Sequence, residues 1–185
     1  MKELSLNILD IAENSVRAGA SEIDVAVAED TAADTLTITI TDNGCGMDEE
    51  LLRSVRDPFT TTRTTRRVGL GIPLLQEAAQ ATGGDLTIDS APGQGTRISA
   101  VFGRSHIDRM PLGDIASTMS TLIQCNDDRE WVYRYTIDDR SFTLDTRELR
   151  AALGTDVPLS APDIVCWIRD YITQNTNELN GGNSV

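Results

Sequence analysis

Hydrophobic periodicity predicts that the first element of the chain is an amphipathic helix over residues 4–18. Apolar and small residues recur there at the three- and four-residue spacing of one buried helix face, namely Leu4, Ile8, Ile11, Ala12 and Ser15. Gly19 directly follows this pattern, and a glycine at that place is typical of the end of a helix. One face of the helix is therefore expected to pack against a core.

Alternation of apolar and polar residues then predicts four strands. Ile23-Val25-Val27 and Leu36-Ile38-Ile40 each place apolar residues two apart, as half-buried strands do. Two more strands are predicted at 85–90 and 96–102, on either side of the turn Pro92-Gly93-Gln94-Gly95. These segments indicate a sheet with one buried face.

Two helices are predicted on either side of an aperiodic segment. Residues 48–56 begin with acidic side chains and predict a short helix. A second helix runs from about Pro73 to Ala81, because proline is favoured at an early helical position. Residues 60–68 between them are polar, rich in Thr and Arg, and show no periodicity.

The pattern changes after Gly103 and predicts a second unit. Its expected elements are a helix near 112–124, a hairpin of strands 130–137 and 141–145, and helices near 146–153 and 162–176. The expected fold class is α+β, with one domain over residues 1–103 and a small α+β module over residues 104–185. The end of the chain, about 178–185, is expected to be a disordered tail.

Composition narrows the classes of function. The 185 residues include 29 Asp and Glu but only 16 Lys and Arg, a formal net charge of −13, and Lys2 is the only lysine. This balance disfavours nucleic acid and anionic membranes as partners, because both attract a basic surface. No apolar run approaches the roughly 18 residues of a membrane span. Three widely spaced cysteines form neither a disulfide framework nor a metal-binding pair, so a cytoplasmic location is expected.

One face of the first helix carries polar groups that suit a metal and a phosphate. Asp10, Asn14 and Arg17 lie at positions i, i+4 and i+7 of this helix. Carboxylate and amide oxygens suit a hard cation such as Mg²⁺, and a guanidinium suits a phosphate. The alternative is an ordinary solvated face on which Glu13 and Arg17 form an i,i+4 ion pair. Taken alone, the helix favours this alternative.

Two glycine motifs add to the pattern. Asp42-x-Gly44-x-Gly46 follows a strand, where a carboxylate suits an exocyclic amine and glycines let a flat ring approach the backbone, although the same residues also suit a tight turn. Gly69-Leu70-Gly71 leads into a helix, and the amino end of a helix favours an anion. Upstream arginines are expected on a mobile lid or, alternatively, on a solvated loop: Arg63, Arg66 and Arg67.

The order of these motifs resembles the GHKL ATPase superfamily, which contains gyrase-type topoisomerases, the heat-shock chaperone ATPase, histidine kinases and mismatch-repair ATPases. The resemblance extends from about Leu6 to Phe102. Residues 9–20 are most similar to the mismatch-repair helix, whereas residues 57–62, 68–72 and 83–98 are most similar to the ATPase domains of histidine kinases. The chain is most similar to a free-standing histidine-kinase-like ATPase. The resemblance implies a two-layer α/β sandwich for residues 1–103.

The resemblance also implies ATP and Mg²⁺ as cofactors, and a role for each motif. Asn14 is the implied Mg²⁺ ligand, with Arg17 beside it, and Asp42 is the implied partner of the adenine amine, with Thr96 assisting. The implied lining of the adenine pocket is Ile40, Gly44, Gly46 and Met47. The implied lid carries Arg63, Arg66 and Arg67, and its phosphate-facing end consists of Gly69, Leu70 and Gly71.

The sequence leaves the reaction open. Hydrolysing members of the superfamily carry Glu four residues before the metal-binding Asn, where this chain has Asp10, one methylene shorter, and Glu13 is the alternative general base. His106 lies in a segment similar to the phosphoacceptor box of histidine kinases, but this segment follows the ATPase core instead of preceding it. A capped helix at a domain junction explains the same residues.

Three functions are compatible with these residues. The first is a kinase-like phosphotransferase or regulator that acts on a protein partner. The second is a slow ATP hydrolase with Asp10 as general base, and the third is a non-enzymatic module whose residues 104–185 bind a partner according to ATP occupancy. ATP and a protein are the expected partners, a homodimer is a further expectation, and nucleic acid and membranes are not expected.

Overall fold

The computed structural model describes residues 3–56, 71–154 and 157–181. Its helices are α1 (Leu4–Arg17), α2 (Glu49–Arg56), α3 (Gly71–Gln80), α4 (Ile115–Cys125), α5 (Thr146–Leu153) and α6 (Pro162–Leu179). Its strands are β1 (Glu22–Asp30), β2 (Thr35–Asp42), β3 (Asp85–Ser90), β4 (Thr96–Gly103), β5 (Glu130–Ile137) and β6 (Arg140–Asp145).

The six strands form one mixed sheet in the order β3-β4-β2-β1-β5-β6. Four neighbouring pairs are antiparallel, and β1 and β5 are parallel, with Ile23 opposite Trp131 and Val27 opposite Tyr135. The side chains of these four residues are buried. The neighbouring strands β1 and β5 therefore come from distant parts of the sequence.

Helices cover one face of the sheet, and the alternation of residue types decides which face this is. On β2, Leu36, Ile38 and Ile40 point into the core, whereas the intervening threonines lie on the opposite face and are only half-buried. Helices α1, α3 and α6 pack on the apolar face of the sheet. The predicted two-layer α+β architecture is confirmed.

Residues after Gly103 contribute to the same sheet and the same core. Helix α4 packs between α1 and α6, and β5 extends the sheet beyond β1. The Glu29 carboxylate on β1 accepts hydrogen bonds from the Tyr135 hydroxyl at 2.7 Å and from Arg104 Nε at 2.6 Å. The division into two domains at Gly103 stays a prediction. One continuous sheet contains strands from both sides of this residue.

The same segment completes the first helix. The backbone carbonyls of Pro111 and Leu112 accept hydrogen bonds from the amides of Leu4 and Ser5 at 3.0 and 2.8 Å. The first N–H groups of a helix have no partner inside the helix, so these carbonyls satisfy two of them. The amino end of α1 is thus capped by backbone more than a hundred residues away in sequence.

The predicted elements agree with the structure to within a few residues at their ends. Helix α4 begins at Ile115 because the Asp114 side chain accepts a hydrogen bond from the amide of Ser117 at 2.9 Å, which is an N-cap. Strand β2 continues to Asp42, which pairs with Ile23 and Thr96. Helix α6 continues to Leu179, so the first residues of the tail predicted as disordered, about 178–185, extend this helix. Residues 60–68 and 182–185 lie outside the described residues. Within the described ranges, no helix is both long and apolar enough to span a membrane.

Candidate functional site

The polar face of α1 is anchored by its opposite, apolar face. Burial of Leu4, Ile8 and Ile11 fixes the rotation of the helix, which leaves Asp10 and Asn14 half-buried and Glu13 and Arg17 exposed. The predicted i,i+4 ion pair is present, with Arg17 Nη2 at 2.8 Å from Glu13 Oε2. Glu13 is therefore engaged at the surface by Arg17.

Asn14 is only partly satisfied by the rest of the protein. Its Oδ1 accepts a hydrogen bond from Arg17 Nη1 at 3.0 Å. Its Nδ2 is buried and has no hydrogen-bond partner among the described residues. A buried amide donor without an acceptor is costly, so this nitrogen marks a place where an acceptor from outside the described chain would be stabilised.

Asp42 ends β2 with its carboxylate held from two sides. The side chain is 8% exposed, and Oδ2 accepts a hydrogen bond from Ser15 Oγ at 2.5 Å. Oδ1 accepts one from the amide of Gly44 at 2.9 Å. Each oxygen retains a further lone pair, so the carboxylate is fixed in orientation and still able to accept another hydrogen bond.

The loop after Asp42 depends on glycine at position 46. Gly46 has a φ of +66°, and a Cβ built there would lie 1.9 Å from the carbonyl oxygen of Ala91. The loop is tied down on both sides, because the Cys45 amide donates to Ala18 O at 2.9 Å and the Gly93 amide donates to Cys45 O at 2.8 Å. Backbone of this loop and of the β3–β4 turn therefore meet without side chains between them.

Ser90 connects the loop to the neighbouring strands. Its hydroxyl accepts a hydrogen bond from the Met47 amide at 2.9 Å and lies 2.9 Å from both Gly95 O and Thr96 Oγ1. Thr96 is in turn the strand partner of Asp42. Ile40 is buried in the core two residues before Asp42, and Met47 is half-buried against the core.

Helix α3 begins against Asp10. A Cβ built on Gly71 would lie 2.0 Å from Asp10 Oδ2, so the carboxylate contacts the backbone at the amino end of α3 directly. A carboxylate is stabilised there by the helix dipole. The remaining predicted site residues, Arg63, Arg66, Arg67, Gly69 and Leu70, lie outside the described residues.

The structure thus pairs Asp42 with Thr96 at one end of the sheet, places Asn14 next to the serine that bonds Asp42, and sets Gly71 against Asp10, one turn earlier on α1. Two residues of this region were not predicted as site residues: Ser15, which the periodicity assigned to the buried face, and Ser90, which ends a strand. A hydroxyl at a buried helix position next to Asn14 was the available signal for Ser15. No sequence signal marks Ser90.

His106 lies at the other end of the sheet. Strand β4 runs from Thr96, opposite Asp42, to Gly103, opposite Thr35, and His106 follows it. At about 3.4 Å per residue this strand is about 24 Å long. The His106 side chain is 40% exposed, and its Nδ1 accepts a hydrogen bond from the Asp108 amide at 3.2 Å. The histidine is therefore remote from Asp42 within one chain.

Comparison with known proteins decides the family. Residues 2–105 match the family of histidine kinase-, DNA gyrase B- and HSP90-like ATPases. The chain belongs to this family. The predicted GHKL type is confirmed, and the chain carries the ATP-binding domain of the family.

Sensor proteins are among the relatives in this family. A putative sensor protein of Shewanella frigidimarina is 29% identical over 109 residues, which cover 58% of this chain and 17% of the relative. The signal transduction histidine-protein kinase AtoS of Escherichia coli is 35% identical over 103 residues, 55% of this chain and 16% of the kinase. Each match therefore covers less than a fifth of the relative.

A solved structure shares the fold beyond the matched residues. The crystal structure of the N-terminal domain of a DNA repair protein aligns with a TM-score of 0.55 at 11% identity, over 78% of this chain and 53% of that one. The aligned 78% of the chain is longer than the segment 2–105 that matches the family. The shared fold therefore includes part of the segment after Gly103.

Proposed function

We propose that the protein binds Mg²⁺·ATP between α1, the end of β2 and the start of α3, and that it acts as a kinase-like phosphotransferase or regulator of a protein partner. The observation that carries the proposal is the buried Asp42 carboxylate, whose two oxygens are each held by one donor from the protein. Membership of the ATPase family and similarity to histidine kinases support it.

Asp42 is the proposed acceptor for the adenine amine. Ser15 and the Gly44 amide orient the carboxylate, which keeps free lone pairs toward the pocket. Thr96 lies beside it on β4, and Gly46 lets the loop backbone come close to a flat ring. Ile40 and Met47 supply the apolar lining that a base needs on its faces.

Asn14 is the proposed ligand of Mg²⁺ and neighbour of the phosphates. Its Nδ2 has no hydrogen-bond partner among the described residues and could donate to a phosphate oxygen. Its Oδ1 accepts one hydrogen bond, from the exposed Arg17, so a second lone pair stays available to the cation or to a water bound to it. Mg²⁺, when bound, would neutralise charge on the phosphates. Arg17, the lid arginines Arg63, Arg66 and Arg67, and the Gly69–Gly71 backbone are the proposed phosphate contacts of this lysine-poor chain.

The binding site is tested by titration of ATP into the full chain and matched variants. Asp42→Asn replaces an acceptor by a donor toward the amine and is expected to weaken binding by roughly 10- to 100-fold, the range for a lost hydrogen bond to a charged group. Asn14→Ala is expected to remove the dependence of binding on Mg²⁺. Asp89→Asn, an exposed strand carboxylate on the other face of the sheet, is the control and should bind as wild type. Wild-type affinity in both site variants would overturn the site.

Hydrolysis with Asp10 as general base is the second candidate reaction. The Asp10 carboxylate lies one helical turn before Asn14 and contacts the amino end of α3, so it is held where the phosphates are proposed. Transfer to a partner instead requires only that Asp10 position Mg²⁺ and water. A third candidate is a module that binds ATP without turnover.

Incubation with γ-labelled ATP separates these candidates. Free phosphate that disappears in Asp10→Asn, with ATP binding kept, indicates hydrolysis. Label that moves only to an added partner protein indicates phosphotransfer, and binding without either product indicates the non-enzymatic module. His106→Gln is the control for self-phosphorylation, which we expect to be absent within one chain because His106 lies at the far end of β4.

The proposed partner is a protein in the cytoplasm. The net charge of −13 disfavours nucleic acid and anionic membrane surfaces. Cys45, Cys125 and Cys166 are all free and exposed, which suits a reducing compartment.

A further inference from the structure

Three polar side chains form a row across one end of the sheet. Asp42, Thr96 and Ser90 are successive cross-strand partners on β2, β4 and β3. The neighbouring row on the same, helix-covered face consists of three buried isoleucines: Ile40, Ile98 and Ile88. Side chains directly opposite each other on antiparallel strands have Cβ atoms about 4.5–5.5 Å apart. The Thr96 side chain therefore lies next to both Asp42 and Ser90.

The hydrogen bonds of Ser90 fix the direction of its own proton. A hydroxyl has one proton to donate and two lone pairs that accept. The Ser90 hydroxyl accepts from the Met47 amide and lies 2.9 Å from the Gly95 carbonyl oxygen. Because a carbonyl oxygen can only accept, the Ser90 proton is donated to Gly95. Thr96 Oγ1, also 2.9 Å away, must then donate its proton to the second lone pair of Ser90.

The direction of the Thr96 proton decides what this hydroxyl offers to a ligand. Since its proton is donated to Ser90, the Thr96 hydroxyl presents only lone pairs to its other surroundings. It therefore does not donate to its other neighbour, Asp42, whose oxygens accept from Ser15 and from the Gly44 amide. Asp42 and Thr96 together present two neighbouring acceptors.

We propose that Ser90 is a positioning residue for selection of the base, an inference that rests on the proposed ATP site. By holding the Thr96 proton, Ser90 keeps the Asp42–Thr96 pair able to accept both hydrogens of a 6-amino group. A 6-oxo purine places an oxygen acceptor against these two acceptors, and polar groups left unpaired away from water are costly. Without the Ser90 hydroxyl, the Thr96 proton is free to donate to Asp42 or to a 6-oxo group.

Titration of ATP and of inosine triphosphate (ITP), both with Mg²⁺, into the full chain tests this role, because ITP carries an oxo group in place of the 6-amino group. Wild type is expected to bind ATP at least about 100-fold more tightly than ITP, since a site built to pair with an amine rejects an analogue that lacks it. Ser90→Ala is expected to lower this affinity ratio at least about tenfold, by weakening the binding of ATP and not that of ITP. Loss of the Met47 contact alone would weaken both nucleotides equally and leave the ratio unchanged.

Thr96→Val separates the effect of the proton from that of the loop contact. This variant removes the Thr96 hydroxyl and leaves the Ser90 hydroxyl its contacts with Met47 and Gly95. It is also expected to lower the affinity ratio of ATP to ITP. In this background, Ser90→Ala should lower the ratio no further, because a residue that acts only through Thr96 has no effect once the Thr96 hydroxyl is gone.

A second serine–threonine pair provides the matched control. Ser99 Oγ lies 3.1 Å from Thr39 Oγ1 between β4 and β2 on the opposite face of the sheet, so Ser99→Ala should keep the wild-type ratio. Circular dichroism and melting temperatures verify that the variants fold. A wild-type ratio near one, a ratio unchanged in Ser90→Ala or in Thr96→Val, or a further fall in the double variant would overturn the inference while ATP binding stands. A wild type that binds neither nucleotide would overturn the proposed function, and this inference with it.

Discussion

At the scale of single residues, Ser15 links the proposed adenine-binding carboxylate, Asp42, to the helix position next to the proposed Mg²⁺ ligand, Asn14. It follows Asn14 in the sequence, and its hydroxyl donates a 2.5 Å hydrogen bond to the buried Asp42. The proposed phosphate end and adenine end of the site are therefore coupled through neighbouring positions of one helix. A serine that periodicity assigns to the core is here an orienting group for a carboxylate.

Ser15→Ala is expected to reduce ATP affinity about five- to tenfold, because Asp42 loses one of its two orienting donors and a typical hydrogen bond contributes about 1 kcal/mol. Isothermal titration of ATP measures the change. Ser120→Ala is the matched control, since Ser120 is also 4% exposed and bonds only a carbonyl of its own helix at 3.1 Å. Equal affinities of the two variants would show that Ser15 has no orienting role.

At the scale of elements, the sequence predicted what each segment forms better than which segments pair. Leu36-Ile38-Ile40 alternates along a half-buried strand, and β2 contains it. The parallel pairing of β1 with β5 has no local signal, because both strands are apolar on one face and any register of equal parity would bury them. The candidate site shows the same limit: the motif predicted Asp42 as a site residue, whereas its contacts with Ser15 and Gly44 depend on packing and have no signal in the sequence.

Two tyrosines of β5 allow the stability effect of a buried hydroxyl with a hydrogen-bond partner to be compared with that of one without. The Tyr133 hydroxyl is buried without a hydrogen-bond partner among the described residues, whereas the Tyr135 hydroxyl donates to Glu29 at 2.7 Å. Tyr133→Phe is therefore expected to leave the free energy of unfolding unchanged or to raise it by about 1 kcal/mol, and Tyr135→Phe to lower it by about 1–2 kcal/mol. Urea unfolding at neutral pH measures both, and the reverse order would contradict this assignment of the hydroxyls.

The same pair predicts the response to alkali. Burial raises the pKa of Tyr133 and, together with the hydrogen bond to Glu29, that of Tyr135. Unfolded tyrosines lose their protons near pH 10, so the unfolded state binds fewer protons above that pH and stability falls as pH rises. When unfolding is measured from pH 9 upward, the free energy of unfolding should fall less in Tyr133→Phe than in wild type, because the variant has one titrating phenol fewer.

At the scale of the whole molecule, one sheet and one core span the predicted boundary at Gly103. Helix α4 packs on α1, and β5 pairs with β1, so residues that follow the matched family domain support the helix that carries Asn14. Composition and periodicity gave the elements on both sides of Gly103, and they could not show that these elements share a sheet, because such pairing depends on contacts distant in sequence.

Trp131 reports whether the chain unfolds as one unit. It is fully buried in β5, and in a Trp167→Phe background it is the only tryptophan. We expect a single thermal transition in its fluorescence, which ATP at about 100 times its Kd raises by roughly 5–10 °C. Asp42→Asn should abolish the shift. Two transitions, with that of Trp131 indifferent to ATP, would instead establish separate domains on either side of Gly103.

The cap on α1 also bears on how the protein is made. The carbonyls of Pro111 and Leu112, which satisfy the amino end of the helix that carries Asp10 and Asn14, are translated about a hundred residues after that helix. Helices of this length are marginal alone in water. The nascent chain therefore carries the proposed nucleotide-binding residues of this helix long before they are held in place, and we expect competence to bind only after Pro111 and Leu112 have left the ribosome.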